Sequence, residues 1–319
     1  MGVWETLVQP CNEANRWEAL EVLYRRVPAP LRDRLIVEVL EEARGGELDL
    51  SGLWVALGRG GRVEGALLTQ SLAGRAAAVW APEIRTKWRR SALATALITA
   101  ALEDLKHRGF MLAQAVLDES ANPRSGRDLE RGGMARITEF LYLERDVAAP
   151  LGFQGPVDFA WRSFHAAIED EFRAVLAATY EGSLDMPELE GTRGLDEILE
   201  GYRAVGRFDP ERWRLGRLTT EPEAAAVVLL AENPGREVWE VVYLGLTPAA
   251  RHRGLGRVVI QHALDLAKGK AKTLELAVDE RNKPARRLYE SVGFTLRDRR
   301  TVHLAVLSRP DRTPAQFPA

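Results

Sequence analysis

The stretch EVWEVVYLGLTPAARHRGLGRVVIQHALDLA, from Glu237 to Ala267, carries the strongest structural signal in this chain. Its first part, Glu237 to Leu246, has the apolar content of a strand, and Gly256 to Ala267 has the spacing of an amphipathic helix. The turn between them reads Arg251-His252-Arg253-Gly254-Leu255-Gly256. Glycines let a backbone approach a ligand closely, and the first amides of a helix attract anions. The stretch therefore predicts an anion-binding site at a strand-to-helix turn.

This turn differs from the two best-known phosphate loops. It has no Gly-Lys-Ser/Thr ending, as a nucleoside triphosphate loop has. Val259 stands where the third glycine of a dinucleotide fingerprint would be. Arg251, Arg253 and Arg257 surround the turn with positive charge. We therefore expect a diphosphate ligand of another kind.

Composition sets bounds on the rest of the chain. Its 319 residues, 46% of them hydrophobic and 28% charged, predict two globular domains. A formal net charge of −2 gives no bulk electrostatic reason to expect nucleic acid or an anionic membrane as a partner. The single cysteine, Cys11, has no internal disulfide partner, and no Cys/His cluster has the spacing of metal ligands. No apolar run approaches the ~20 residues of a membrane span. We expect a cytoplasmic protein without a metal.

The order of elements in the first half of the chain recurs in the second half. Asp118-Glu119 and Asn122-Pro123 correspond to Asp279-Glu280 and Asn282-Lys283-Pro284. Each group is followed by a glutamate, Glu130 or Glu290, and then by glycine. This repeat predicts two homologous domains, residues 1–148 and 149–319, with the boundary near 145–156.

The apolar patterns predict an α+β (mixed α/β) fold for each domain, with a mostly antiparallel mixed sheet flanked by helices. The first domain is expected to contain helical residues at 17–44 and 91–106, strands between Leu53 and Trp80, and a polar segment before a strand at 137–143. In the second domain, we expect helices near 168–178, 194–205 and 284–291, strands at 157–164, 213–218, 225–231 and 273–278, and a final strand pair.

The motifs around Arg251 resemble the GNAT superfamily of N-acetyltransferases. Arg251, Gly254 and Gly256 match the family's Q/R-x-x-G-x-G/A signature. Asn282, Ala285 and Tyr289-Glu290-Ser291-Val292-Gly293-Phe294 are similar to the family's N-x-x-A-x-x-x-Y-x-x-x-G-F ending. The tandem arrangement resembles the family's two-domain members, such as mycothiol synthase. The resemblance covers both halves and is strong over residues 237–294.

The resemblance implies that acetyl-CoA is the acyl donor. Residues Leu244 to Thr247 would lie beside the pantetheine arm, and a backbone amide near Leu246 would contact the acetyl carbonyl. Asn282 would bond the pantetheine chain or cap the following helix, and Arg286 or Arg287 would meet phosphate. The implied donor-binding residues are Leu244, Leu246, Thr247, Arg251, His252, Arg253, Gly254, Leu255, Gly256, Arg257, Asn282 and Arg286.

The resemblance also implies two catalytic residues. Tyr289 would be the general acid for the leaving thiolate, although a helical tyrosine is also typical of a core. Glu240 aligns with the glutamate thought to act as the base in mycothiol synthase, although a strand glutamate can also be solvated or paired with arginine. Glu240 lies six residues before Leu246, so both side chains share one sheet face if no bulge intervenes.

The first domain departs from this pattern at its phosphate loop. Setting Pro82 on Pro248 places Trp88 on Gly254 and Arg90 on Gly256. Setting Glu130 on Glu290 places Leu129 where Tyr289 stands. We therefore predict that the first domain is non-catalytic and does not bind acyl-CoA in the conventional way.

Charge is unevenly distributed in the second domain. Residues 251–300 contain thirteen Lys or Arg and six Asp or Glu, whereas residues 165–245 contain eight Arg and seventeen acids. Coenzyme A phosphates account for the first imbalance. A cationic amine acceptor accounts for the excess of acids in residues 165–245, with Glu181 and Asp185 as candidate binding residues. The alternative is that these acids form a solubilising surface.

These observations predict an acetyl-CoA-dependent N-acetyltransferase. Its second domain would transfer the acetyl group by direct attack of a primary amine on a small-molecule acceptor. The chain would be a monomer or a homodimer, and His252 and His303 would have surface or structural roles. The competing hypothesis is a non-catalytic acyl-CoA-binding sensor or scaffold.

Overall fold

The computed structural model describes residues 7–87, 89–151 and 159–309. They form two compact units. Unit 1 holds the described residues of Met1–Ile137 and Thr301–Ala319, and unit 2 those of Thr138–Arg300. This division by contacts differs from the predicted division at residue 148, since it assigns the last strand residues to unit 1. The predicted fold class is confirmed, because each unit has a mostly antiparallel mixed sheet with helices.

Unit 1 is built on the strand order β1-β2-β3-β4-β6-β13. Only β4 and β6 pair in parallel within this order. The last strand, β13 (Thr295–Val306), pairs with β6 through residues Thr301 to Val306. The other elements of unit 1 are β1 Leu7–Pro10, α1 Arg16–Leu23, α2 Ala29–Gly45, β2 Leu53–Leu57, β3 Val63–Leu72, β4 Ala76–Val79, β5 Glu83–Ile84, α3 Arg90–His107, β6 Leu112–Leu117 and α4 Ser125–Arg131.

Unit 2 has the strand order β7-β12-β11-β10-β9-β8. Its one parallel pair among the described strands joins β11 to β12. Strand β7 begins in unit 1 and continues into unit 2. The elements of unit 2 are β7 Ala135–Asp146, β8 Phe159–Ser163, α5 Glu169–Tyr180, α6 Leu195–Arg203, β9 Trp213–Leu218, β10 Ala226–Asn233, β11 Val238–Leu246, α7 Leu255–Ala267, β12 Thr273–Asp279 and α8 Lys283–Ser291.

The sheet of unit 2 carries a core on each face. On one face Val259, Ile260 and Ala263 of α7 are fully buried with Leu274 of β12. On the other face Phe172 of α5 packs in a second cluster that includes α6 and β9. This two-sided covering explains why β10 is apolar at nearly every position, since both of its faces are buried. Along the described ranges, no helix combines the length and apolar content that crossing a membrane requires.

Three elements differ from the sequence-based expectations. The helical residues predicted at 17–44 form two helices, because Pro28 disfavours helical geometry at the preceding residue. The polar segment before β7 contains α4, which is too short for a visible apolar period. The expected final strand pair is the single strand β13. Val157 of the predicted strand at 157–164 lies outside the described residues, and the rest of that strand is β8.

A half-buried histidine joins α7 to the edge of the unit 2 sheet. The His262 ring stacks on Trp161 of β8, with centroids 4.0 Å apart and planes 5° from parallel. Its Nε2 atom is buried and has no hydrogen-bond partner among the described residues. Burial, helped by the positive charge of Arg214, lowers the pKa of His262 to about 4. The imidazole is therefore neutral in the folded chain at neutral pH.

We predict that His262 makes stability depend on pH below neutrality. The unfolded chain binds a proton at His262 near its ordinary pKa of 6.5, whereas the folded chain does not until about pH 4. The free energy of unfolding should therefore fall by about 1 to 2 kcal/mol as the pH falls from 6.5 to 4. This is less than the energy that corresponds to the whole pKa difference, because the ring is partly exposed and solvent screens its charge. The His262→Phe variant should lose this contribution, as measured by urea unfolding across that pH range. The control His107→Gln keeps His262 and should behave like the wild type, and an unchanged pH dependence in His262→Phe would contradict the prediction.

Candidate active site

The parallel strands of unit 2 separate part-way along their length. Strands β11 and β12 pair only over Val238–Val241 and Thr273–Leu276. Beyond these residues β11 runs on to Leu246 and β12 to Asp279 without pairing to each other within the described register. The result is a gap in the sheet. Backbone N–H groups along such a gap are left for a ligand or water, since buried donors need partners.

A β-bulge lies where the strands separate. Leu229 of β10 pairs with Tyr243, whereas Leu230 pairs with Val241, so Val242 is an extra residue in β11. A bulge reverses the alternation of side chains beyond it. Leu244 and Leu246 therefore pack in the core beneath α7, together with Trp239 and Val241.

The bulge changes where Glu240 lies relative to Leu246. Val242 and Tyr243 pack in the core beneath α5 and α6, the face opposite to Val241. Glu240 precedes Val241 and lies on that same face by strand alternation. The expectation that Glu240 and Leu246 share a face is therefore wrong, because its condition of an unbroken strand is not met. Glu240 shares a face with Tyr243 instead.

The surroundings of Glu240 favour its protonated form. The residue is half-buried and lies directly opposite Glu275 on β12. Burial raises the pKa of Glu240, the negative charge of Glu275 raises it further, and Arg236 and Arg297 act in the opposite direction. Glu275 itself bonds to Arg236 at 3.1 Å and to Arg297. A carboxyl with a raised pKa is a better proton acceptor than an exposed glutamate, as general-base catalysis requires.

The turn before α7 has an unusual backbone. His252 has φ of 61° and Gly254 has φ of 76°, both in the left-handed region. A side chain at residue 254 would meet no atom within 4 Å, so the space above this glycine is open. Where left-handed residues alternate with residues of another backbone conformation, successive N–H groups point to the same side of the chain. In addition, the first N–H groups of a helix have no hydrogen-bond partner within the helix. An open, amide-lined turn of this kind fits a diphosphate.

The two motif glycines have different roles. Gly254 provides the left-handed backbone, whereas Gly256 sits within α7 and faces α8. A Cβ atom at residue 256 would lie 2.8 Å from Cδ2 of Leu288. The second glycine therefore leaves room for the Leu288 side chain between α7 and α8.

The predicted donor-binding arginines are engaged with protein groups. Arg251 donates from Nη2 to the Thr179 carbonyl at 2.8 Å and from Nη1 to the Glu181 carbonyl at 2.6 Å. Its Nε donates to the Leu246 carbonyl at 3.2 Å. Arg251 thus links the end of β11 to the end of α5 and positions the turn. Arg253 pairs with Glu221 at 2.7 Å.

The remaining donor-side residues lie near the same turn or on α8. Thr247 donates its N–H to the Ala225 carbonyl at 2.9 Å. His252 and Arg257 are exposed, whereas Leu255 is buried. Asn282 accepts the Ala285 N–H at 3.3 Å and so caps α8, which is the structural alternative stated for it. In α8, Arg286 pairs with Glu290 at 3.3 Å.

Tyr289 is buried on α8, with its ring packed against Phe294. Burial raises the pKa of Tyr289, and the nearby charges of Asp185 and Tyr243 add to the shift. The phenol is therefore fully protonated at neutral pH. Its proton is available to a thiolate that forms within hydrogen-bond distance of the hydroxyl.

Reciprocal hydrogen bonds fix the α5–α6 loop to the open end of β12. Asp185 Oδ1 accepts the Asp279 N–H at 2.9 Å, and Asp279 Oδ2 accepts the Met186 N–H at 3.2 Å. Arg281 bonds to both carboxylate oxygens of Glu188, at 2.6 and 2.9 Å. Met186 has a left-handed φ of 47°, which this clamp holds in place. We call these residues the loop clamp.

The two predicted acceptor residues lie in different surroundings. The Asp185 residue is exposed as a whole, but protein atoms crowd its carboxylate. This desolvation raises the pKa of Asp185, and the charge of Asp279 adds to it. The Glu181 residue is exposed, and its carbonyl rather than its side chain contacts Arg251. Asp185 is therefore near Tyr289, whereas the Glu181 carboxylate has no described contact with the site.

Sequence reasoning missed a cluster of tyrosines on the same side of the gap. The hydroxyls of Tyr180 and Tyr202 are 2.7 Å apart, and that of Tyr243 lies 2.8 Å from Thr179 Oγ1. The ring of Tyr243 is 5.2 Å from that of Tyr180 and 5.6 Å from that of Tyr202. We call Tyr180, Tyr202 and Tyr243 the tyrosine cluster. Three of the six tyrosines in the chain form it, and the position of Tyr243 in the motif strand was the available signal.

The two histidines for which surface or structural roles are predicted lie in different places. His252 is exposed in the turn, and His303 is buried in β13 of unit 1, 3.8 Å from Glu130. In the ranges that the structure describes, no three His, Cys, Asp or Glu side chains are grouped so as to hold a metal ion.

Comparison with known proteins places this geometry in a family. A model of the acetyltransferase (GNAT) family matches residues 176–294. A mycothiol acetyltransferase of Beutenbergia cavernae is 30% identical over 218 residues, which cover 61% of this chain and 72% of that protein. The chain belongs to the GNAT family of acetyltransferases. The predicted family and the predicted N-acetyltransferase activity are thereby confirmed.

Two other similarities differ in how much of this GNAT protein they cover. The N-alpha-acetyltransferase RimI of Mycobacterium tuberculosis is 40% identical over 70 residues, which cover 22% of this chain and 42% of that protein. A crystal structure of a GCN5-related N-acetyltransferase from Sphaerobacter thermophilus matches with a TM-score of 0.56 and 20% identity. That match covers 95% of this chain and 96% of the other, and it shows a shared fold.

We predict that Gly254→Ala weakens acetyl-CoA binding beyond its effect on stability. Alanine at a positive φ costs about 1 kcal/mol, and relief of this strain would turn the N–H groups away from the diphosphate. The matched control is Gly269→Ala, just beyond the other end of α7, where φ is 72° and nothing lies within 4 Å of the added Cβ. Both variants should lose similar stability in urea unfolding, and only Gly254→Ala should bind acetyl-CoA at least about tenfold more weakly by calorimetry. Equal affinities in the two variants would count against a phosphate role for the turn.

Proposed function

We propose that unit 2 transfers the acetyl group of acetyl-CoA to a primary amine of a small molecule. One observation carries this proposal. The parallel strands separate at the Val242 bulge, beside the left-handed turn that begins α7. This arrangement offers an amide-lined place for a diphosphate and a sheet gap for the thioester within one unit.

The donor side of the proposed site consists mainly of backbone. The turn from His252 to Gly256 would receive the diphosphate through N–H groups. The pantetheine arm would lie along Leu244 to Thr247, where β11 has no partner in β12. An N–H group near Leu246 would bond to the thioester carbonyl and stabilise the negative charge that develops there.

Two proton transfers accompany the proposed reaction. Glu240 accepts a proton from the ammonium form of the acceptor, which frees the nitrogen lone pair. The nitrogen attacks the thioester carbon, so that a C–N bond forms as the C–S bond breaks. Tyr289 donates its proton to the departing thiolate, and one of the two protons on the new amide nitrogen passes to solvent while the other stays as the amide N–H. Exchange with solvent then returns a proton to Tyr289 and removes one from Glu240. The raised pKa of Glu240 suits its role as proton acceptor, and the raised pKa of Tyr289 keeps the phenol protonated until the thiolate forms.

The acceptor side is proposed to select a cationic amine. The faces of the tyrosine cluster attract ammonium groups, and the negative charge of Asp185 acts on two of its members, since it helps to raise the pKa values of Tyr202 and Tyr243. The relatives named mycothiol acetyltransferases make mycothiol-related amines the first acceptors to test. The stretch similar to an N-alpha-acetyltransferase makes a peptide α-amine the second candidate.

Unit 1 is proposed to be non-catalytic. Leu129 stands where the repeat places Tyr289, and its fully buried side chain has no proton to donate. Trp88, which aligns with Gly254, lies outside the described residues. A single acetyl-CoA per chain, lost with Gly254→Ala, would support this assignment.

The direct test is acetyl transfer by the purified chain. Acetyl-CoA is supplied with a panel of mycothiol-related amines, other amino sugars and short peptides, and release of free thiol is followed. We expect turnover with cationic small amines and a lower rate with anionic amines. Turnover with peptides alone would favour the second candidate, and thiol release that is independent of any amine would overturn direct transfer.

We predict that Glu240→Gln lowers kcat by about 10²- to 10⁴-fold, because the amide cannot accept the proton of the acceptor. Acetyl-CoA affinity should not change, since the donor side is built from other residues. Glu237→Gln is the matched control, as that glutamate precedes the same strand, is exposed and pairs with Lys272. Steady-state kinetics of the three proteins measure the effect. A wild-type kcat in Glu240→Gln would remove its catalytic role.

We also predict a change in the pH profile when Glu275 is replaced. Its negative charge helps to raise the pKa of Glu240, so Glu275→Gln should lower that pKa. Because Glu240 must be ionised to accept a proton, activity falls as the pH drops through this pKa. The acid limb of kcat/KM should therefore move to lower pH in Glu275→Gln and stay in place in Glu237→Gln. A limb that does not move would show that Glu240 does not control it.

A further inference from the structure

A buried arginine of unit 2 contacts the end of α8. Arg145 lies near the end of β7, and only 4% of its surface is exposed. Its Nε donates to the Val292 carbonyl at 2.6 Å. Its Nη1 and Nη2 atoms donate to carbonyls of the turn after β7, which are those of Asp146, Ala149 and Pro150, at 3.1, 2.8 and 3.3 Å. One side chain therefore joins two segments that are 147 positions apart in sequence.

Helix α8 ends in a Schellman motif, in which two N–H groups beyond the helix bond to carbonyls of its last turn. Phe294 donates its N–H to the Tyr289 carbonyl at 3.0 Å, and Gly293 donates to the Glu290 carbonyl at 3.1 Å. Gly293 has the left-handed φ of 89° that the motif needs. The rings of Tyr289 and Phe294 make the apolar contact that often accompanies it, with centroids 5.7 Å apart. The orientation of Tyr289 therefore depends on this short turn.

The guanidinium of Arg145 fits against the same turn. Its acceptor, Val292, is the residue between the last turn of α8 and the left-handed glycine. A Cβ atom at residue 293 would lie 3.3 Å from Arg145 Nε, so the glycine also leaves room for the guanidinium. A cation beside the last carbonyls of a helix is favoured by the helix dipole. Arg145 thus restrains the turn from the side that faces the core.

Unit 1 contains the same helix ending. At the end of α4, Met134 donates its N–H to the Leu129 carbonyl at 2.9 Å. Gly133, with a left-handed φ of 104°, donates to the Glu130 carbonyl at 3.2 Å. The Schellman motif is therefore present in both units, with leucine in unit 1 where unit 2 has Tyr289.

Unit 1 has no arginine at the position that corresponds to Arg145. The internal repeat places Ala113 of β6 on Leu274 of β12. The antiparallel partners of these two residues are Ala305 and Arg145. An alanine side chain has no donor, so a helix can end in this motif without the arginine. The arginine accompanies the motif in the unit whose helix carries Tyr289.

We propose that Arg145 is a positioning residue for acetyl transfer in unit 2 and acts through Tyr289. It ties the Val292 carbonyl to the turn after β7 and so restrains the end of α8 that carries the phenol. A proton donor must lie about 3 Å from the atom it protonates, and a displacement of about 1 Å can cost about 10²-fold in rate. The inference rests on the proposed role of Tyr289 as proton donor to the departing thiolate.

The test is a double-mutant cycle with acetyl-CoA and the most active amine of the panel. Arg145→Lys keeps the charge, but a single ammonium group cannot reproduce the guanidinium fork that reaches both segments. It should lower kcat by about 10- to 10²-fold and leave the acetyl-CoA affinity, measured by calorimetry, within about twofold. Tyr289→Phe should lower kcat by at least about 10²-fold. The double variant should have the kcat of Tyr289→Phe, because without the hydroxyl there is no proton donor to position.

The cycle separates failure of this inference from failure of the proposed function. Losses of kcat that multiply in the double variant would show that Arg145 acts independently of the phenol, and would overturn the inference while the role of Tyr289 stands. A wild-type kcat in Arg145→Lys would also overturn the inference alone. A wild-type kcat in Tyr289→Phe would overturn both.

Stability is measured separately by urea unfolding, because loss of buried hydrogen bonds also destabilises the chain. Arg75→Lys is the matched control, since Arg75 bonds to the Gly109 carbonyl through Nε and Nη2 in unit 1. Both variants should lose stability, and only Arg145→Lys should lose kcat. Arg145→Gln, which has no charge to bury, is made in parallel and should show the same unchanged acetyl-CoA affinity with a lowered kcat. Unfolded chains from both replacements of Arg145 would show that the arginine serves folding, and would overturn the proposal.

Discussion

The site of unit 2 depends on one interruption of hydrogen bonding, where the pairing of β11 with β12 stops at Val241 and Leu276. The extra residue Val242 turns the rest of β11 relative to its partners. This one change opens the sheet and reverses the side chains beyond the bulge. Tyr243 is thereby brought to the face that carries Glu240, and Leu244 and Leu246 are turned toward α7. A regular strand would give neither the gap nor this distribution of polar and apolar groups.

A gap in a sheet has to be held open by other contacts, because unpaired backbone groups are costly when buried. At the end of β12, the loop clamp bonds carboxylates of Asp185 and Asp279 to backbone N–H groups. At the end of β11, the Arg251 guanidinium bonds to backbone carbonyls of two separate segments. At both strand ends, a charged side chain supplies hydrogen bonds to the backbone where strand pairing has stopped. Although burial alone would raise it, the pKa of Asp279 is held low by its hydrogen bonds from Arg281 and Thr138, so the Asp279 carboxylate stays ionised.

The two units show how one architecture supports different local chemistry. In each unit, a helix begins beside the end of a short parallel strand pair. In unit 2, that helix begins with glycines, so its backbone is accessible and its neighbour α8 packs closely. In unit 1, Arg90 and Asp128 fill the corresponding contact with a buried ion pair. Without the glycines, the helix N-terminus therefore presents side chains where the helix of unit 2 presents backbone N–H groups.

The sequence by itself determined the fold class, the family and most elements of unit 2. It did so because apolar periodicity reports which residues must be buried, and because Gly254 is required by a left-handed turn whatever surrounds it. The same local reasoning found Asn282 as a helix cap and Arg251 as a motif residue. It failed for α4, which is too short to show a period, and for the last strand residues, whose partner β6 lies far away in sequence.

Only the tertiary structure decided what several of these residues do. The face of Glu240 depends on a bulge that is defined by pairing with β10, so no pattern within β11 reveals it. The guanidinium of Arg251 is occupied by carbonyls from residues about 70 positions away. The tyrosine cluster joins α5, α6 and β11, and the Arg90–Asp128 pair joins α3 to α4. Local sequence fixes backbone preference and burial, whereas the partners of a polar side chain are set by contacts between distant segments.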